Sequence, residues 1–174
     1  MPITAKSLST PIGSVYVSSN GRAITSLDFK KPDGFLPKRT KDPLLNLAVM
    51  ELDEYFSGFR TSFSVPFEQS GTVFQEKIWQ EIISIPFGSL LSYKQLAEKL
   101  KTQGYRAVGS SCGKNSIPIF IPCHRVIASR PEASGKEIPL RFLGGYSGHA
   151  SQSQGIKRTL LEWEGFSVVD DPKT

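Results

Sequence analysis

Cys123 stands between a proline and a histidine, in the run Pro122-Cys123-His124-Arg125-Val126. A free thiol titrates near ~8.5 and is mostly protonated at neutral pH, so a nucleophilic cysteine needs a base or a positive surrounding. His124 is the nearest candidate base. Consecutive side chains of an extended segment point apart, so the imidazole reaches the thiol only if the chain turns there, or through a water. Glu164, at the end of the last helical pattern, could orient that imidazole as the third member of a relay. Taken alone, the Cys-His pair fits a buried structural cysteine beside a polar histidine at least as well. A zinc centre fits worse, because two cysteines and two histidines lack the paired spacing of a structural site. The other cysteine, Cys112, has no base in its neighbourhood and is expected to be inert.

The elements that must position these groups divide the chain into an expected N-terminal domain, residues 1–68, and a C-terminal domain, residues 69–174. In the first, Ser14–Ser18 and Ala23–Phe29 carry strand character on either side of Asn20-Gly21, a dipeptide that tolerates positive φ and favours a hairpin. Asp42-Pro43 opens a helix as N-cap and first-turn proline. Leu45, Ala48, Leu52 and Phe56 recur on one face of it, and Gly58 stops it. Thr61–Phe67 reads as a returning strand. The domain is therefore α/β, a small antiparallel sheet with a helix.

The second domain reads as mainly helical. Thr72-Val-Phe-Gln75 and Ser92-Tyr-Lys-Gln95 are capping boxes, each followed by apolar residues at helical spacing. A third helix covers Tyr105–Cys112 with Gly113 as C-cap, and the last one covers roughly Gly155–Glu164 with Gly165 as its stop. The second and third of these, joined by a turn containing Gly104, suggest a helix-turn-helix. One side of the third helix is nearly bare: Ala107, Gly109, Ser110 and Ser111. Such a helix suits a narrow groove or close packing against another helix, and its composition alone does not choose between them.

Composition limits the function classes. The net charge is +5, of which +4 follows Gln69, a mild basic excess compatible with a polyanion partner. No apolar run approaches the ~20 residues of a membrane span, and the first residues do not form a secretory signal, so an intracellular chain with free thiols is expected.

The ordered set Gly71-Thr72-Val-Phe-Gln75, Ile85-Pro-Phe-Gly88, Ser92-Tyr93-Lys-Gln-Leu-Ala97, Arg106-Ala-Val-Gly109, Asn115, Pro122-Cys-His-Arg-Val126, Gly145-Tyr-Ser-Gly148 and Leu160-Leu-Glu-Trp-Glu164-Gly165 resembles the O6-alkylguanine-DNA alkyltransferases. The likeness spans residues 71–165; the first 70 residues match loosely, chiefly at Asp53–Gly58. It implies a ribonuclease H-like N-terminal domain and a helix-turn-helix C-terminal domain. It also implies a single-turnover repair protein that moves an alkyl group from O6 of guanine, or O4 of thymine, irreversibly onto Cys123.

The resemblance also implies roles. His124 would hold a water that takes the Cys123 proton, with Glu164 behind it. Tyr93 would donate to the departing guanine, and Asn115 would tie the third helix to the Cys123 turn. Pro122, Val126, Tyr146 and Ser147 would line the base pocket. Tyr105, Arg106, Ala107, Gly109, Ser110, Thr72 and Gln95 would meet DNA, with Arg106 filling the space left by a flipped base. The implied partner is double-stranded DNA carrying O6-alkylguanine, bound through the minor groove by a monomer in the cytoplasm, or in the nucleus of a eukaryote. No cofactor is implied. Zinc in the N-terminal part, known in some members, is excluded here because residues 1–70 contain neither cysteine nor histidine.

The chain departs from the family pattern at Ile127–Gly144, which is long and charged, and at His149–Gln154, where His149 replaces a common glycine. The first insertion lacks apolar periodicity, which predicts a surface flap able to move aside for larger alkyl groups.

Overall fold

The computed structural model describes residues 4–35, 41–128, 135–146 and 153–171. Chain contacts group residues 1–70 with 116–120 in one unit, and residues 71–115 with 121–174 in another.

The first unit is an antiparallel sheet of β1 (Thr4–Thr10), β2 (Gly13–Ser19) and β3 (Ile24–Asp28) in that order, with α1 (Pro43–Phe56) against it. Asn20 closes the β2–β3 turn as expected, its Oδ1 accepting from the N–H groups of Arg22 and Ala23 at 3.0 Å each. Asp42 caps α1 through Oδ1, accepting from Leu44 N–H at 2.9 Å and Leu45 N–H at 3.4 Å. Val15, Val17, Ile24 and Leu27 meet Leu45, Ala48, Leu52 and Tyr55 in a core closed to solvent.

Two expectations are corrected here. β1 was not foreseen, because TAKSLST shows no alternation of apolar and polar residues. Thr61–Phe67 does not form a strand: it contributes one bridge, Phe67 to Ile24. Pro66 has no N–H to extend a ladder. The segment instead wraps the buried carboxylate of Glu51, which accepts from the N–H groups of Ser64 (2.9 Å) and Val65 (3.1 Å) and from the Ser64 hydroxyl. Residues 116–120 complete this unit, with Leu27 N–H donating to Ser116 O at 2.9 Å and the Phe120 ring 4.7 Å from that of Phe63.

The second unit holds α2 (Val73–Ile83), β4 (Leu91–Ser92), α3 (Tyr93–Lys99), α4 (Tyr105–Gly113), a 3-10 turn at Cys123–Arg125, β5 (Val126–Ile127), β6 (Glu137–Pro139), α5 (Ser153–Trp163) and β7 (Ser167–Val169). Both capping boxes form: in each, the hydroxyl accepts from the glutamine N–H while the glutamine side chain accepts from the cap N–H. Gly113 proves to be the last helical residue of α4, with Lys114 as its cap. Helix α5 starts at Ser153, ahead of the expected Gly155. It ends where Gly165, at φ +88°, lets its own N–H reach Glu162 O and the Phe166 N–H reach Leu161 O, each at 3.0 Å.

The flap expectation fails for the described part of the insertion. β6 pairs in parallel with β7, and Ile138 and Leu143 are buried with Leu90, Ile127, Leu161 and Val168. Arg141 donates its N–H to Asp171 at 3.1 Å, and its guanidinium pairs with the same carboxylate. Periodicity could not reveal this anchorage, because its partner strand is distant in sequence. Residues 129–134 of the insertion lie outside the described residues.

Candidate active site

Cys123 opens the 3-10 turn and is 3% exposed. The turn brings its side chain and that of His124 to the interior together, which an extended segment could not do. Asn115, just past the end of α4, donates from Nδ2 to Ile121 O at 2.8 Å and to Cys123 Sγ at 3.1 Å, while its backbone N–H reaches Cys112 O at 3.3 Å. One side chain thus fixes both the segment leading to the thiol and the thiol itself.

His124 is wholly buried, and its Nε2 lies 2.8 Å from Glu164 Oε1. The same carboxylate accepts from Arg125 Nε (3.1 and 2.9 Å) and Nη2 (2.9 Å), and from Gly88 N–H at 3.1 Å. Arg125 spends Nη1 on Ile85 O at 2.7 Å. The Ile85–Gly88 segment therefore supplies one acceptor and one donor to this network. Burial opposes ionisation of Glu164, but the hydrogen bond from His124 and the adjacent Arg125 overcome it and hold the carboxylate down to about 2. Burial lowers the His124 value and keeps the imidazole neutral, against the pull of Glu164. An ionised Glu164 accepts and never donates, so Nε2 carries the imidazole proton and Nδ1 carries the lone pair. That Nδ1 is buried and has no hydrogen-bond partner among the described residues.

Burial pushes the Cys123 thiol up to about 11, against the lowering effects of the Asn115 hydrogen bond and of Lys157. Burial pushes Cys112 higher still, to about 12. Neither thiol ionises unaided at neutral pH.

Lys157 is the group that sequence reasoning missed. It is completely buried, and its Nζ donates to Val126 O at 2.6 Å and Gly145 O at 3.1 Å. Lys157, Leu160 and Leu161 share the buried face of α5 at helical spacing, so the signal was available: a lysine in an apolar stripe. Arg125 was also passed over as a mere member of the pentapeptide.

Tyr93, at the start of α3, donates its hydroxyl to Gly145 O at 3.4 Å, and burial raises its phenol above the ordinary value. A Cβ on Gly144 would lie 3.0 Å from Tyr93 Cε2, and Gly144 itself sits at φ +69°. Gly144→Ala is therefore expected to displace the Tyr93 ring and to cost about 1–3 kcal/mol. Thermal denaturation checks this; an unchanged Tm would contradict it. Pro122 and Val126 are buried on either side of the turn. Tyr146 is buried, its ring edge-on to His124 at 6.4 Å. Ser147 lies outside the described residues, as does His149.

On α4 the structure leaves Tyr105, Arg106, Ala107 and Ser110 exposed and half-buries Gly109, while Val108, Ser111 and Cys112 face inward. Trp79 Nε1 donates to Ser111 O at 3.0 Å and locks α2 to that inner side. Thr72 is exposed and Gln95 half-buried, and both are engaged in the capping boxes.

Fold and site together define a protein with a sheet-bearing unit and a mainly helical one, the second holding a buried cysteine followed in sequence by a carboxylate-bound histidine. Family models agree: residues 73–166 match the 6-O-methylguanine DNA methyltransferase DNA binding domain, and residues 3–69 match the ribonuclease-like domain of the same family. The chain belongs to the 6-O-methylguanine DNA methyltransferase family. It is 36% identical to a methylated-DNA–protein-cysteine methyltransferase of Mycobacterium leprae, over 96% of this chain and 95% of that protein. It is also 36% identical to the constitutive methylated-DNA–protein-cysteine methyltransferase of Bacillus subtilis, over 92% and 94%. Among solved structures, Mycobacterium tuberculosis OGT in complex with DNA superposes with a TM-score of 0.73 at 36% identity, covering 92% of each chain.

Proposed function

We propose that this protein repairs DNA by transferring a methyl or larger alkyl group from O6 of guanine, or O4 of thymine, to Cys123, once per molecule. The observation that carries the reading is the buried, lone-pair-bearing Nδ1 of His124, without a hydrogen-bond partner among the described residues, on the same turn as a thiol held by Asn115. Through a water, Nδ1 takes the thiol proton. The Sγ–carbon bond forms as the O6–carbon bond breaks, and the departing guanine gains a proton or hydrogen bond from Tyr93. The thioether has no route back to a thiol, so one event spends the protein. The names of relatives matched over more than nine-tenths of the chain support the substrate, and the relative solved with DNA supports the partner.

Pro122, Val126, Tyr146 and Ser147 would line the base pocket. The exposed, slim side of α4, with Tyr105, Arg106, Ala107, Gly109 and Ser110, would enter the minor groove of duplex DNA as a monomer, flanked by Thr72 and Gln95. Arg106 would occupy the place of the flipped nucleotide. Arg106→Ala is then expected to slow repair of a duplex lesion about tenfold or more, and to affect a single-stranded lesion much less. Equal slowing on both substrates would make Arg106 an ordinary phosphate contact. The reading as a whole is tested by incubating the protein with duplex DNA labelled at the methyl carbon of O6-methylguanine. Label should move to protein with an amplitude of one per molecule; continued turnover, or none, would overturn it.

A further inference from the structure

A fully buried lysine is costly, because an ammonium leaves water for a medium that solvates it poorly. Lys157 spends two of its protons on carbonyl oxygens, Val126 O and Gly145 O. Those carbonyls belong to the two backbone segments that flank the Cys123 turn and Tyr93. Val126 directly follows the turn, and Gly145 O also accepts the Tyr93 hydroxyl. The ammonium stands 5.9 Å from the Tyr93 ring centroid as well. Tyr93 from α3 lies against it, and the titratable groups whose charge it feels are Cys112 from α4 and Cys123 and His124 from the 3-10 turn. Glu164, just past the end of its helix, is taken up by Arg125 and His124, and Glu162 on that helix pairs with Arg158.

We propose that Lys157 is a positioning residue for alkyl transfer, stapling the Val126 and Gly145 walls of the base pocket and holding a positive charge beside the thiolate that forms at Cys123. This rests on Cys123 being the alkyl acceptor. With the staple in place, the Tyr93 hydroxyl and the Cys123 sulfur keep a fixed separation while the base enters. With the charge in place, a thiolate in a buried site has a partner. Burial also pushes Lys157 down to about 8, against the pull of Cys123 and Cys112, so the charge can be removed within an accessible pH range.

The experiment measures the single-turnover transfer rate at saturating methylated duplex, from pH 6 to pH 9.5, for the wild type, Lys157→Met and Lys157→Arg. The wild-type rate is expected to fall above about pH 8 as the ammonium deprotonates. Lys157→Met keeps the apolar stem. It is expected to transfer about tenfold or more slowly at pH 7, to lose the descending alkaline limb, and to bind duplex DNA as tightly as the wild type. Lys157→Arg, which retains charge and donors, should recover part of the rate and carry its limb beyond the measured range. A wild-type rate without any alkaline limb would overturn the proposal even if Lys157→Met fails to fold. So would a folded Lys157→Met protein with the normal rate, or with the limb intact. Absence of transfer to Cys123 in the wild type would instead defeat the functional reading.

Discussion

Cys123→Ser is expected to abolish alkyl transfer, by about a thousandfold or more, while leaving duplex affinity within about twofold. An alcohol is far less acidic than a thiol, and the neutral imidazole of His124 can draw a proton from the thiol but not effectively from serine. The replacement is nearly isosteric, and the hydroxyl can still accept from Asn115 Nδ2, which lies 3.1 Å from Sγ. The turn should therefore survive, as should the exposed side of α4. Single-turnover transfer and a binding titration on the same methylated duplex give both quantities. Residual transfer at more than a few per cent of the normal rate would place the acceptor elsewhere, with Cys112 as the remaining thiol.

Glu164→Gln is expected to damage both stability and chemistry. The carboxylate collects donors from His124, Arg125 and Gly88, all within 3.1 Å. An amide leaves the buried guanidinium of Arg125 without a counter-charge, a loss of about 3–5 kcal/mol in comparable broken pairs. The amide can also donate to Nε2 and so select the imidazole tautomer with its proton on Nδ1, which removes the base. Transfer should slow about a hundredfold or more. The pH dependence of stability has a definite sign. Because Glu164 is held near 2 in the folded chain, its contribution is complete above the ordinary carboxylate value of 4.5 and is lost as pH falls toward 2. Denaturant titrations should show wild-type stability declining across that window, and a flatter acid limb in Glu164→Gln. Equal acid limbs in the two proteins, with equal Tm, would contradict the assignment.

What could be read from the sequence was what local chemistry decides. Thr72 and Ser92 form their capping boxes within four residues, so spacing alone places the starts of α2 and α3. Asp42-Pro43 and the Asn20 turn are local in the same sense. The burial of Cys123 and His124 on one turn, with Glu164 behind the imidazole, was legible in part, because a turn was the one local geometry that could bring thiol and imidazole inward together. What escaped depends on distant partners. β6 and β7 are three residues each and pair across about thirty positions, so neither carries a periodic signal. The anchored half of the 127–144 insertion was hidden for the same reason. Thr61–Phe67 looked like a strand by composition, but the buried carboxylate of Glu51 claimed its N–H groups. Lys157 was overlooked because a lysine is ordinarily counted to the solvated face. Its carbonyl partners lie 31 and 12 residues away.

The central claim is that one particular sulfur accepts one alkyl group, and tryptic cleavage separates the two thiols cleanly. Cleavage after Arg106, Lys114 and Arg125 leaves Cys112 in the peptide 107–114 and Cys123 in the peptide 115–125. After incubation with excess duplex carrying O6-methylguanine, peptide 115–125 should be heavier by about 14 mass units in essentially every molecule, and peptide 107–114 unchanged. A methyl group on peptide 107–114, or an unmodified peptide 115–125 after the lesion has disappeared from the DNA, would contradict the account.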